Sequence, residues 1–344
     1  MGVSDSLIVD VQDVTRRFGD VTALNHLDLS IREGTISVLL GPNGAGKTTA
    51  IRMITGALAP HEGTSRVFGL DPAGPDGEEV RRRCGVVSAK PSLYDRLTGW
   101  DNLRYSAELY GLGKGDDTDR RIRDAAGTFA IDTFLDHRVG GYSTGMKTRL
   151  ALARAVLHDP DLLLLDEPTS GLDPESALAV LELIRGMAGT GRTVLMCTHL
   201  LLEAEGLADE IVVMQSGTDL RSGRPADLMA EFWPTPQVKI TSTIPEGLKV
   251  ALQGHGEVLA IEEAGDAIVA DLHTEDSIPS IVAELAKRKV PISSVVPVRP
   301  SLEELYFAIR REHGSTEGEL APPGGGSGRP TRTDESANAG LKAA

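Results

Sequence analysis

The chain has 344 residues, a formal net charge of −15 and two cysteines. That length accommodates two domains with ordinary cores, while the acidic balance argues against non-specific binding to nucleic acid. No run of about eighteen apolar residues occurs, and the N-terminus carries Asp5, Asp10 and Asp13 instead of a basic-then-apolar leader, so a soluble intracellular chain with no signal peptide is expected. Cys84 and Cys197 stand far apart in short apolar segments and are expected as reduced core residues.

Leu7 to Arg16 and Val21 to Ile31 are predicted strands, joined by Phe18-Gly19-Asp20. The Phe18 ring could stack on an adenine base or fill a sheet edge, and the residues alone leave both open. Thr35 to Leu40 is short, β-branched and apolar, a predicted buried strand. It leads into Gly41-Pro42-Asn43-Gly44-Ala45-Gly46-Lys47-Thr48-Thr49, which fits the phosphate-cradling pattern G-x-x-x-x-G-K-[ST]. Glycines there let backbone N–H groups approach an anion, Lys47 supplies a compact positive charge, and Thr48 a hydroxyl for Mg²⁺. Apolar spacing at Ile51, Ile54 and Leu58 predicts a helix over 47–58 whose positive end faces the phosphates.

Val67 to Gly69 reads as a short strand, Glu78 to Arg83 as helix, and Cys84 to Ser88 as strand. From Thr98 to about Leu135 the pattern is helical, with Leu103, Ala107 and Tyr110 on one face and Ile122, Ala126 and Phe129 on another. Tyr94, Trp100, Tyr105 and Tyr110 crowd this region, either as a groove for a partner or as packing between helices. Ser143 is a predicted N-cap for a helix that Asp159-Pro160 ends. Leu162 to Leu165 is four consecutive leucines, hence a strand covered on both faces, and it ends in Asp166-Glu167. Asp173-Pro174-Glu175 opens a helix to about Met187, Thr193 to Cys197 is a buried strand followed by Thr198-His199, and Ile211 to Met214 closes the unit ahead of a turn at Ser216-Gly217. Strands alternating with helices after a phosphate loop make a parallel α/β domain.

A second unit is expected from about Thr235. Strands at 237–241, 258–261, 267–272 and 292–298 and helices at 248–252 and 278–289 give the order βαββαβ of the ferredoxin-like fold. A last helix spans Leu302 to Arg311, and from about Gly314 a Gly/Pro/Ser-rich disordered tail is predicted.

A phosphate loop paired with an apolar strand ending in Asp-Glu makes an ATP-hydrolysing site. Asp166 would hold Mg²⁺, through water, and Glu167 would orient or deprotonate the attacking water. Together with Tyr142-Ser143-Thr144-Gly145-Met146, Ser170-Gly171-Leu172-Asp173 and His199, in that order, these motifs resemble the ATP-binding cassette (ABC) proteins over about Leu7 to Leu228. The resemblance is to the nucleotide-binding subunit of a transporter. It implies a P-loop NTPase domain over 5–232, with an antiparallel β subdomain and a helical subdomain at about 98–158, followed by an α+β domain over 235–311.

It also implies roles. Ser143 and Gly145 resemble the signature motif that caps the γ-phosphate of ATP held by a second copy, His199 the switch histidine, and Asp173 the loop between the two sites. Cofactors are then ATP and Mg²⁺. Partners are a second copy of the chain and integral membrane permease subunits, without nucleic acid, which puts the protein in the cytoplasm against the inner face of the membrane. The Ser-Thr-Gly-Met form of the signature, and Pro300 to Tyr306 at the end of the second unit, resemble the ABC-2 exporter branch of the drug-resistance and sodium-export kind. One departure weakens the metal site: Ala89 falls where the family carries the glutamine that helps hold Mg²⁺, and alanine cannot coordinate a metal. The alternatives are a non-transport ABC ATPase and an ATP-switched protein that sequesters a toxic small molecule. The first fits poorly with a single cassette lacking an extended heptad run, and a GTPase lacks its Asn-Lys-x-Asp segment here.

Overall fold

The computed structural model describes residues 6–314, so the predicted tail lies, but for Gly314, outside the described residues. Partial alternation in the first thirty residues becomes two long antiparallel strands, β1 (Leu7–Phe18) and β2 (Val21–Arg32). β3 (Ile36–Leu40) is buried at every position and runs straight into the phosphate loop. α1 (Lys47–Ile54) stops at Ile54 and not at Leu58, because Gly56 turns left-handed (φ 70°) directly after it. β4 (Glu62–Val67) then pairs with β1 to complete a three-stranded sheet, β2-β1-β4. The strand expected over Val67 to Gly69 is thus displaced: pairing ends at Val67, and Phe68 (φ 55°) and Gly69 (φ 76°) make the following turn.

After α2 (Gly77–Arg82) and β5 (Cys84–Val87) come three helices, α3 (Gly99–Leu109), α4 (Asp116–Thr128) and α5 (Thr144–Val156). Their apolar faces, Leu103, Ala107, Ile122, Ala126 and Phe129 among them, meet in one core. β6 (Leu162–Asp166), α6 (Pro174–Ala188), β7 (Thr193–Thr198), α7 (Leu201–Ala204), β8 (Glu210–Gln215), β9 (Thr218–Gly223) and α8 (Pro225–Phe232) follow. The central sheet has the order β5-β6-β7-β3-β8-β9 and is parallel except for the edge strand β9. Placing β6, β7 and β3 side by side brings three separate stretches of sequence to one sheet end, with Asp166 opposite Cys197 and Leu40 opposite Thr198. Ligands of parallel sheets sit there, beyond the carboxyl ends of the strands.

The remaining elements are β10 (Gln237–Ser242), α9 (Pro245–Gln253), β11 (Val258–Ala264), β12 (Ala267–Leu272), α10 (Ile278–Lys287), β13 (Ile292–Val298) and α11 (Leu302–Glu312). The four strands form an antiparallel sheet of order β11-β12-β10-β13, over a core that includes Val238, Ile240, Leu252, Ile268 and Leu285. α11 does not join that core. It buries Leu302, Leu305, Tyr306 and Ile309 in the core of the larger sheet and packs against α7 and α8. Among the described residues no helix is long and apolar enough to cross a membrane.

α5 is pressed onto the central sheet at Gly85. A methyl group there would lie 2.3 Å from the Ala155 carbonyl oxygen of α5 and 2.8 Å from the Leu163 side chain. Gly85→Ala is therefore expected to cost about 1–3 kcal/mol, seen as a lower urea midpoint at unchanged slope.

Candidate active site

The phosphate loop is shaped by glycine conformations that other residues resist. Gly46 sits at φ 107°, and a Cβ on it would come within 2.6 Å of the Ala23 carbonyl oxygen. The Lys47 side chain is only 5% exposed and folds back into its own loop. Its Nζ donates to the Gly41 carbonyl at 2.6 Å and the Pro42 carbonyl at 3.1 Å, and stands 3.6 Å from Glu167 Oε1. Asn43, Gly44, Ala45, Gly46, Lys47, Thr48, Thr49, Asp166 and Glu167 all line one cleft, together with Val21, Thr22 and Ala23.

Within that cleft the Thr48 hydroxyl donates to Asp166 Oδ2 at 2.7 Å. Burial pushes the Asp166 carboxyl up from its ordinary range; the Thr48 hydrogen bond pulls the other way, Glu167 adds to the rise and Lys47 opposes it. Glu167 holds a left-handed backbone (φ 49°), costly for a residue with a side chain, and its amide donates to the Cys197 carbonyl at 2.9 Å. Its Oε1 lies 3.0 Å from His199 Nδ1. Five side chains from three neighbouring strand ends thus converge: Lys47, Thr48, Asp166, Glu167 and His199. No group of three or more metal-ligating His, Cys, Asp or Glu residues occurs among the described residues. The adjacent oxygens of Thr48 and Asp166 are instead the sparse, hard donor set that suits Mg²⁺, which takes its other ligands from water and phosphate. Ala89 lines the same cleft and contributes no donor to it.

The other expected residues lie elsewhere. Phe18 is 44% exposed and pairs with Val21 of the cleft wall, and the Arg16 guanidinium sits over its ring at 5.0 Å. Ser143 is exposed and caps α5, accepting from the Met146 amide at 3.3 Å. Asp173 caps α6, accepting from the Ser176 amide at 3.0 Å, and the hydrogen bonds from Ser176 hold its carboxyl below the usual range. Gly145 lies against Ser176 and Leu172, so these three residues form a second group at the N-termini of α5 and α6, outside the cleft. Sequence reasoning missed Thr169, Thr198 and Glu203, which are buried behind the cleft; nothing in their spacing marks them.

The family described as ABC transporter matches residues 24–170. The ABC transporter ATP-binding protein NatA of Bacillus subtilis is 38% identical over 221 residues, 63% of this chain and 89% of that protein. Nod factor export ATP-binding protein I of Rhizobium sp. (strain N33) is 34% identical over 88% of this chain and 96% of its own length. The probable multidrug ABC transporter ATP-binding protein YbhF of Escherichia coli is 37% identical over 67% of this chain, which spans 39% of that longer protein. Among solved structures, an ATP-binding subunit of an ABC transporter superposes with a TM-score of 0.59 at 30% identity, covering 65% of this chain and 93% of that one. A dimeric post-hydrolysis ATP-binding cassette bound to ADP and Pi gives a TM-score of 0.58 at 25% identity, covering 63% and 98%.

The raised Asp166 carboxyl has a consequence for stability. The folded protein holds that proton to higher pH than the unfolded chain, so the group costs stability as pH rises through the gap, and the cost is complete above it. Asp166→Asn removes the buried charge. In metal- and nucleotide-free buffer its Tm is expected to exceed that of the wild type at about pH 7.5, with the difference shrinking towards about pH 4.

Proposed function

The chain belongs to the ABC transporter family as an ATP-hydrolysing subunit that powers export through a separate transmembrane partner, and from that premise we propose that two copies close face to face on ATP. The observation that supports this reading most is the convergence of Lys47, Thr48, Asp166 and Glu167 on one cleft, with His199 against Glu167. The N–H groups of Gly41 to Thr49 and the positive end of α1 bind the phosphates. Lys47 exchanges the Gly41 and Pro42 carbonyls and Glu167 for phosphate oxygens. Thr48 and Asp166 would hold Mg²⁺, which would supply positive charge against the phosphates as negative charge develops on them.

Release of Lys47 leaves Glu167 with His199 alone and free to orient or deprotonate water for in-line attack on the γ-phosphate. His199 steadies that carboxylate and reaches towards the γ-phosphate. Phe18, beside the cleft wall, supplies an apolar ring for adenine. Ser143 and Gly145 of each copy face the ATP of the other, because within one chain they lie apart from the cleft, and Asp173 beside them communicates between the two sites. The proposed domain bounds are an ATP-binding domain over 5–232 and an α+β, ferredoxin-like unit over 235–311; α11, at the end of the second, packs against α7 and α8 of the first. Nod factor export and multidrug transport in the relatives' names, with no membrane-crossing helix among the described residues, support an exporter in which this chain sits at the cytoplasmic face of the membrane against integral permease subunits that are other chains.

Glu167→Gln keeps the shape of the cleft and removes the base. It is expected to bind ATP as the wild type does, to lose about 10²–10⁴ in turnover, and to double its mass by light scattering when ATP is added. A monomer with ATP bound would contradict the paired arrangement. For the membrane role, the tagged chain is expected to co-purify from detergent extracts with an integral membrane protein, and repeated recovery as a free species would count for the sequestering alternative.

A further inference from the structure

Behind the cleft, a buried carboxylate joins the two loops that carry Glu167 and His199. Glu203 sits on the short helix α7 and is 7% exposed; Thr169 is 4% and Thr198 1% exposed. The Thr198 hydroxyl donates to Glu203 Oε2 at 2.7 Å, and the Thr169 hydroxyl donates to Glu203 Oε1. The Thr198 oxygen also accepts from the Leu200 amide at 3.0 Å, which fixes the direction of its hydroxyl. Thr198 immediately precedes His199, and Thr169 stands two residues after Glu167. The same two loops meet again on the cleft side, through His199 Nδ1 and Glu167 Oε1 at 3.0 Å and through the Glu167 amide and the Cys197 carbonyl at 2.9 Å.

We infer that Glu203 is a positioning residue for ATP hydrolysis, its carboxylate tying Thr169 to Thr198 so that Glu167 and His199 remain within hydrogen-bond reach. A carboxylate suits the task because both of its oxygens accept, one for each threonine, and a charged acceptor makes the stronger bonds. Burying it costs free energy that a surface glutamate would not, and the two hydroxyl donors offset that cost only while both loops stay in register. The left-handed backbone at Glu167 is a strained conformation that needs such external support. Glu203 is not among the residues lining the cleft and acts through the pair in front of it. The inference rests on the roles given above to Glu167 and His199.

Steady-state ATP hydrolysis by the full chain tests it. Glu203→Ala is expected to lower kcat about 10- to 100-fold, since small misplacements of catalytic groups cost that much, while KM for ATP stays within about twofold. Glu203→Gln, which keeps one acceptor, is expected to recover most of the loss. In a His199→Ala background, where the pair is already broken, Glu203→Ala is expected to cost less than about twofold. An equal loss in both backgrounds, or a raised KM at unchanged kcat, would overturn the inference and leave Glu203 a purely structural residue. Should Glu203→Ala fail to fold, Thr169→Val and Thr198→Val take its place, and wild-type kcat in both would equally overturn it. Full turnover by Glu167→Gln and His199→Ala would remove the premise along with the inference; loss of turnover in those two beside an unaffected Glu203→Ala would remove the inference alone.

Discussion

Lys47 presents the constraint on which the rest of the cleft depends. An ammonium group only 5% exposed must be compensated on the spot, because an unpaired buried charge costs several kcal/mol. The protein meets that demand with two carbonyls of the same loop, at 2.6 and 3.1 Å, and with Glu167 at 3.6 Å. The compensation is of a kind that a polyphosphate can replace oxygen for oxygen. The loop carbonyls are pointed inward by the glycine-rich backbone, and Glu167 is brought close by β6 lying one strand away from β7 and two from β3. Sheet order, loop conformation and the strained backbone of Glu167 thus answer to one buried cation.

Much of this was legible in the sequence because the central strands are buried on both faces. β3, β6 and β7 have no exposed position to dilute their apolar character; β6 and β7 end in the polar Asp166 and Thr198, and β3 ends at Leu40, next to the phosphate loop. The helix starts at Ser143 and Asp173 were equally plain, since a cap is a local matter of one side chain and one turn. What escaped notice were elements whose residues depend on distant neighbours. β4 (Glu62–Val67) is polar and mostly exposed, a strand only because β1 offers it an edge, and β9 is half-buried along nearly its whole length without alternation. Glu203 was invisible for the same reason. A glutamate four residues after a histidine looks like any solvated helix residue until two threonines from separate loops are seen to close on it.

α11 shows how a correctly read helix can still be misplaced. Pro300, the Ser301–Glu304 capping box and the apolar spacing of Leu302, Leu305 and Ile309 specify a helix and a buried face, but they do not say which core receives it. Proximity in sequence suggested the βαββαβ unit. The structure sends the helix to the larger core, where it backs α7, the helix that carries Glu203. The last described helix therefore leans on the same small segment that braces His199. A displacement of the C-terminal unit would reach the catalytic loops through one helix, with no need for a contact between that unit and the nucleotide.

How a chain of net charge −15 holds a polyanion follows from the range of the forces involved. Charges spread over the surface act through water and salt, and beyond about 8 Å they are largely screened. The donors of the phosphate loop act at hydrogen-bond distance, in a cleft partly closed to water, where the same charge counts for more. Even there the side chains alone do not suffice, since Lys47 faces the carboxylates of both Asp166 and Glu167. Backbone N–H groups and the end of α1 would supply part of the balance, and a divalent cation held by Thr48 and Asp166 would supply another part. The exposed N-termini of α5 and α6, left facing solvent within one chain, are the remaining source of favourable dipoles. On the reading proposed above, a cleft so short of positive side chains would bind its ligand best with metal and second copy in place, so that closure of the pair would go with occupancy by ATP.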